Sequence, residues 1–270
     1  MILEEELKKA GQGSIEAMCT IGDYYRTKIF EEGYKQEYEE MALKYYRMAG
    51  EGGELYGMYW FVEMGNISVT AELAFAFRVG IQRSMERCEE IYEWSEKALY
   101  CIEKYGSSNE NMINRDMILS QVYLAAYRLA LCYFFTDKKI EVEQLISRID
   151  KKNRGIEVNL LLAVNIMMEG GDPSRYQEVY DLLLEIEDNI EFAQSEKMEV
   201  EESVYAFAAM VLSAYFRGAF LNMTPDLNRS VKVLNFVKDN LQYEDRKAVL
   251  EKELRCYHKK LFGGYKYVMK

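Results

Sequence analysis

The side chains in this chain that could carry chemistry are few, and their spacing points most of them away from catalysis. Its 270 residues contain one histidine, His258, followed by Lys259 and Lys260 near the end of a helical pattern. One histidine rules out a two-histidine zinc helix such as HExxH, and a surface position fits it better than the role of a base. Glutamates come in adjacent pairs at Glu31-Glu32, Glu39-Glu40, Glu89-Glu90 and Glu201-Glu202. Neighbours on a helix point about 100° apart, so no such pair converges by itself and solvated faces are expected. There is no GxSxG elbow, Walker loop or EF-hand loop. Cys19, Cys88, Cys101, Cys132 and Cys256 are odd in number, scattered and free of CxxC spacing. Reduced, mostly buried thiols are expected of them. The chain is therefore expected to be no enzyme, and no catalytic residue, metal ligand or cofactor is assigned.

Recognition chemistry is better represented. Arg78, Arg128, Asn165 and Arg217 are lone polar groups inside strongly apolar helical stretches. A guanidinium suits planar, bidentate recognition of a carboxylate, and an asparagine can hold a peptide backbone. The alternative is that each arginine snorkels to the surface or pairs with a nearby glutamate. Tyr24, Tyr25, Tyr45, Tyr46, Tyr59 and Trp60 form an aromatic group that mostly falls on buried stripes. Tyr24 lies off its stripe and is the exposed candidate. The tail Arg255–Tyr267 is basic and aromatic, which suits either a docked cap or stacking on single-stranded nucleic acid.

The elements that position these residues are helical. Ala42, Tyr45, Tyr46 and Ala49 recur at i, i+3, i+4 and i+7, one buried helix stripe. Gly50, Gly52 and Gly53 break that helix, and a new pattern restarts through Leu55, Tyr59 and Val62. These glycines, with Gly11 and Gly13, follow helices rather than strands and act as hinges, not phosphate loops. Ala10-Gly11-Gln12-Gly13 echoes Ala49-Gly50-Glu51-Gly52 at a spacing of 39 residues. A repeated helix–hinge–helix unit of that length marks an α-solenoid.

Ser14 is expected to cap a helix running to about Lys28, with Ala17, Ile21 and Tyr25 on one stripe. Beyond Gly65, a short helix over 68–81 and a longer one over 85–105 are expected, then a linker at Ser107–Asn111. Ile118, Val122, Ala125, Leu129 and Cys132 mark another stripe, followed by a helix from about Ile140 to Lys152. Asp172-Pro173 and Thr224-Pro225 resemble an N-cap followed by proline at the first helical position. After them run Val179, Leu183 and Ile186, then Val231, Leu234, Val237 and Leu241. A last helix is expected over about Asp245–Phe262.

A family resemblance accompanies these patterns. Ala17-Met18-Cys19-Thr20-Ile21-Gly22-Asp23-Tyr24-Tyr25 resembles the A-x-x-x-L-G-x-x-Y pattern of Sel1-like repeats, with Ile21 for Leu. Ala42-Leu43-Lys44-Tyr45-Tyr46-Arg47-Met48-Ala49-Gly50 resembles the second-helix pattern A-L-x-W-Y-x-x-A-A, with Tyr45 for Trp and Gly50 for the second Ala. The match covers roughly residues 7 to 66, and the later helices are similar to tetratricopeptide units. The resemblance implies an all-α superhelix (solenoid) of antiparallel helix pairs. Its expected division is 1–106, Sel1-like repeats, and 112–270, TPR-like repeats with a C-terminal capping helix, the two forming one array or two. It also implies a scaffold or adaptor binding a peptide or partner protein on a concave face, with Tyr24, Arg78, Arg128, Asn165 and Arg217 as the contacting residues. A regulatory receptor for a small peptide signal is the alternative.

Charge and hydropathy narrow the setting. The net charge of −11 disfavours general nucleic-acid binding. Eleven lysines and arginines oppose six acidic residues from Asp226 on, a balance of +5, which leaves −16 for the residues before it. MILEEELKK has no basic region leading into an apolar run, so no signal peptide is expected. Val204–Phe216, the longest apolar stretch, is too short to span a bilayer. No membrane contact and a bacterial-type cytoplasm are the expectation.

Overall fold

The computed structural model describes residues 2–79, 81–106, 113–168, 173–195, 202–218, 224–260 and 263–268. Its described residues are all-α apart from one small hairpin, and the chain divides into two compact units, Met1–Ile149 and Asp150–Lys270. The first holds α1 (Ile2–Gly11), α2 (Ile15–Glu32), α3 (Gln36–Glu51), α4 (Leu55–Val79), α5 (Ile81–Tyr105), α6 (Arg115–Phe135) and α7 (Lys139–Ser147). The second holds α8 (Ile156–Met168), α9 (Tyr176–Ser195), α10 (Glu202–Phe216), α11 (Leu227–Asn240) and α12 (Glu244–Leu254). Two three-residue strands, β1 (Tyr257–Lys259) and β2 (Tyr265–Tyr267), follow as an antiparallel pair.

In the first unit each helix packs on its chain neighbours, and α4 also touches α6. Short connections at 12–14, 33–35 and 52–54 reverse the chain, so successive helices form antiparallel pairs, the helical-repeat arrangement. The Ser14 side chain caps α2 by accepting from the Ala17 amide at 3.2 Å. Ala42, Tyr45, Tyr46 and Ala49 are all buried, as their spacing requires. Gly53, at φ +90°, supplies the left-handed turn between α3 and α4. Gly57 then allows close approach. A Cβ there would stand 2.7 Å from both the Ala49 Cβ and the Tyr46 carbonyl oxygen.

Several boundaries differ from expectation. Gly65 ends nothing, because α4 runs unbroken from Leu55 to Val79 and Gly65 backs onto Ile91 of α5. A glycine inside a helix costs less than the contact it permits. The linker at Ser107–Asn111 lies outside the described residues. The helices on either side of it, α5 and α6, pack against each other, and the units part at Ile149–Asp150 instead. α6 carries its predicted stripe inward and is the one described helix long and apolar enough to cross a bilayer. Here its buried residues lie in a helix packed on α4, α5 and α7. α6 is therefore longer as an apolar stretch than Val204–Phe216.

The second unit is built around α10 and α11, with Leu212, Leu234, Val237 and Leu250 fully or almost fully buried. Asp172 lies outside the described residues, and Pro173–Arg175 form a short 3-10 turn ahead of α9. Asp226, rather than Thr224, caps α11 by accepting from the Arg229 amide at 3.0 Å. Its carboxylate is the better acceptor for a helix N-terminus. The last helix stops at Leu254, so Tyr257 and His258 lie on a strand. Gly263 and Gly264, both at positive φ, turn the chain back. The Tyr257 hydroxyl meets Ser213 Oγ at 2.7 Å, and its ring stands edge-on to Tyr267 at 4.9 Å. Those anchors hold the tail as a hairpin where a helix was expected, and they engage the Tyr257 and Tyr267 rings internally.

Candidate functional site

The helices of the first unit alternate between two sides. Side chains of α2, α4 and α6 meet one another on one side, and those of α3, α5 and α7 on the other. The first side begins at Asp23, whose carboxylate gathers donors from three helices. It accepts from Arg26 of α2 at 2.9 Å, from the Tyr46 hydroxyl of α3 at 2.7 Å and from the Tyr56 hydroxyl of α4 at 2.8 Å. Arg26 also donates to the Tyr46 oxygen at 3.0 Å. Burial, reinforced by the Asp23 hydrogen bond, pushes the Tyr56 phenol up to about 12 and Tyr46 higher still.

From there α4 carries the line along one stripe. Tyr56, Trp60, Glu63 and Ile67 recur at i, i+4, i+7 and i+11. The Arg26 guanidinium lies 3.7 Å from the centre of the Trp60 ring, a cation–π contact between α2 and α4. Glu63 accepts from the Gln121 amide of α6, and Gln121 accepts from the Asn66 side chain at 2.7 Å. Arg128 of α6 donates to the Asn66 backbone carbonyl. Burial pulls its guanidinium below the ordinary arginine value. Three large apolar side chains stand out along the same stripes: Phe30 at 79 %, Ile67 at 64 % and Phe135 at 46 % exposure.

The opposite side is more acidic. Arg47 of α3 bridges Glu51 and Glu90, which separates the Glu89–Glu90 pair, since Glu89 accepts from Tyr133 at 2.7 Å. Arg148 reaches Glu96 of α5 at 2.6 Å. An open groove of about 940 Å³ runs between α3 and α5, past Trp94, Tyr100 and Tyr105.

The residues singled out from sequence fall in different places. Tyr24 is at the surface, edge-on to Tyr25 at 5.2 Å and beside Lys28. Arg128 joins the α2–α4–α6 line. The Arg78 side chain lies outside the described residues. Asn165 is 0 % exposed inside α8, so an open groove contact is not its place, because an amide at that depth is enclosed by the core. It also belongs to the other unit from Arg128. Arg217 forms an ion pair with Glu253 and lies 4.3 Å from the centre of the Tyr267 ring, so it secures the hairpin rather than lining a face.

Asp23, Arg26, Glu63 and Gln121 escaped the sequence reading because they lie at the edge of the buried stripes, and Asn66 because it is a buried polar residue on the Leu55–Tyr59–Val62 stripe itself. The i, i+3 spacing of Asp23 and Arg26, directly after the motif glycine Gly22, was the available signal.

No family model matches the chain, and no curated protein matches it either. Among solved structures, a de novo designed helical repeat protein is 15 % identical over 93 % of this chain and 92 % of its own, with a TM-score of 0.19. A likeness that loose adds nothing to the fold, which stands on the helix packing itself.

Proposed function

We propose that the chain is a non-enzymatic interaction scaffold that takes an extended peptide or partner segment along the α2–α4–α6 face. The observation that carries this reading is the line of polar contacts from Asp23, Arg26 and Trp60 along the α4 stripe to Glu63, Gln121 and Arg128. A partner laid across it meets fixed polar groups whose rotamers are already set, which lowers the ordering cost of binding. Phe30, Ile67 and Phe135 add apolar contacts on the same stripes. The Sel1-like pattern of residues 7–66 agrees with this assignment, and the proposal extends to a cytoplasmic setting, where reduced thiols are expected.

The test is capture from the native cell with wild-type chain, followed by the same capture with variants. Phe30→Ser with Ile67→Ser, and separately Arg128→Ala, should each weaken the captured partner by ~1–3 kcal/mol through lost burial or a lost charge-assisted hydrogen bond. Tyr100→Ser on the opposite side should leave it unchanged. Equal capture by all variants would remove this face as the site.

A further inference from the structure

α5 and α6 meet at two sulfurs. Cys88 and Cys132 are both buried, and their Sγ atoms lie 3.6 Å apart, within reach of a thiol–thiol hydrogen bond. All five cysteines of the chain are thiols rather than disulfides. The other three are only half-buried, and burial pushes the Cys19 thiol up to about 12.

The surroundings of the pair favour a thiolate between the two helices. Arg128 stands one turn before Cys132 and interacts electrostatically with Cys88. The hydrogen bond that a Cys132 thiolate accepts from the Cys88 thiol holds Cys132 below its ordinary value in spite of burial, against a weaker opposing effect of Glu89. Met85 and the Thr136 hydroxyl, 4.0 Å apart, also lie between α5 and α6. Among the described residues no group of three or more His, Cys, Asp or Glu side chains converges to hold a metal, so two sulfurs alone define the site.

We propose that Cys88 and Cys132 form a dithiol site that hydrogen peroxide converts to a disulfide. The Cys132 thiolate attacks one peroxide oxygen, the O–O bond breaks, and a sulfenic acid forms as hydroxide leaves and takes up the thiol proton as water. The Cys88 sulfur then attacks the Cys132 sulfur. The S–O bond breaks, the S–S bond forms, and the hydroxyl departs as a second water with the Cys88 proton. Two thiols lose two electrons in all, and one peroxide gains them. A disulfide needs ~2.05 Å, so the sulfurs close by roughly 1.5 Å and covalently pin α5 to α6. Burial selects the oxidant: a water-sized peroxide enters during local opening, whereas a bulky disulfide such as oxidised glutathione does not. The site does not depend on the scaffold reading. Arg128, which reaches the Asn66 carbonyl of α4, puts it one contact away from the α2–α4–α6 face.

The test treats the full-length chain with hydrogen peroxide, alkylates the remaining thiols after denaturation, and maps peptides without reduction. The expected result is a Cys88–Cys132 link with a raised thermal midpoint, both reversed by dithiothreitol. The link should be absent in Cys88→Ser and absent when oxidised glutathione replaces peroxide. A Cys19→Ser, Cys101→Ser, Cys256→Ser variant keeps the pair and should still form it, which guards against a folding defect in Cys88→Ser. Recovery of alkylated Cys88 and Cys132 under peroxide that oxidises the half-buried thiols would overturn the proposal. A different pairing in the wild-type chain would overturn it equally.

Discussion

The Tyr46 hydroxyl donates to the Asp23 carboxylate at 2.7 Å, tying α3 to α2 at the point where Tyr56 of α4 also arrives. Tyr46 is itself fully buried, so one side chain serves both the core and the polar line. Tyr46→Phe keeps the ring and removes a hydrogen bond to a charged acceptor, which should cost roughly 1.5–3 kcal/mol. Urea unfolding should show a lower midpoint with an unchanged slope. An unaltered midpoint would mean that the hydroxyl contributes nothing to joining these helices.

The same cluster makes stability fall in alkali. The Tyr56 phenol is raised from its ordinary value of 10 to about 12, first by burial and then by its bond to Asp23. Above pH 10 the unfolded chain gives up this proton while the folded chain keeps it, so rising pH favours unfolding. The contribution is complete below pH 10 and is lost as pH passes about 12. Thermal midpoints measured across that window should fall less steeply in Tyr56→Phe than in the wild type. Identical slopes would contradict the buried, Asp23-bound phenol.

Packing between α3 and α4 should be intolerant of added volume. Ala49 is fully buried, and its Cβ lies 2.7 Å from where a Cβ on Gly57 would stand. Ala49→Leu and Gly57→Ala should each destabilise by about 1–3 kcal/mol through overpacking. Calorimetry should register both, and tolerance of either would place this contact elsewhere.

Much of the fold was legible because buried stripes repeat at helical spacing. The Ala42–Ala49 stripe lies buried in α3 and the Ile118–Cys132 stripe in α6, and Ser14 marked the start of α2. Gly65 misled because a glycine packed against Ile91 has the same letter as a glycine that ends a helix. The C-terminal hairpin was hidden because Tyr257 is fixed by Ser213 and Tyr267, contacts that local periodicity does not encode. The candidate face was half legible. Arg128 stood out as a charge in an apolar helix, whereas Asp23 and Gln121 are joined to α4 by partners 33 and 55 residues distant.

Arg217 offers a check on the division between structural and partner-facing arginines. Arg217→Ala removes its pair with Glu253 and its contact with Tyr267, and should cost ~1–3 kcal/mol. Amide exchange in residues 257–267 should accelerate while exchange in α2, α4 and α6 stays the same. Unchanged protection of the hairpin would count against the anchoring role.

The most direct measurement of the scaffold reading is site-specific photo-cross-linking in the native cell. A benzophenone amino acid placed at Phe30, Ile67 or Phe135 reports on the α2–α4–α6 stripes, and one at Tyr100 or Tyr105 reports on the opposite side. All five positions are exposed enough to accept it. The same partner trapped from the first three, and lost on Arg128→Ala, is the predicted result. A partner trapped only from Tyr100 or Tyr105 would contradict it.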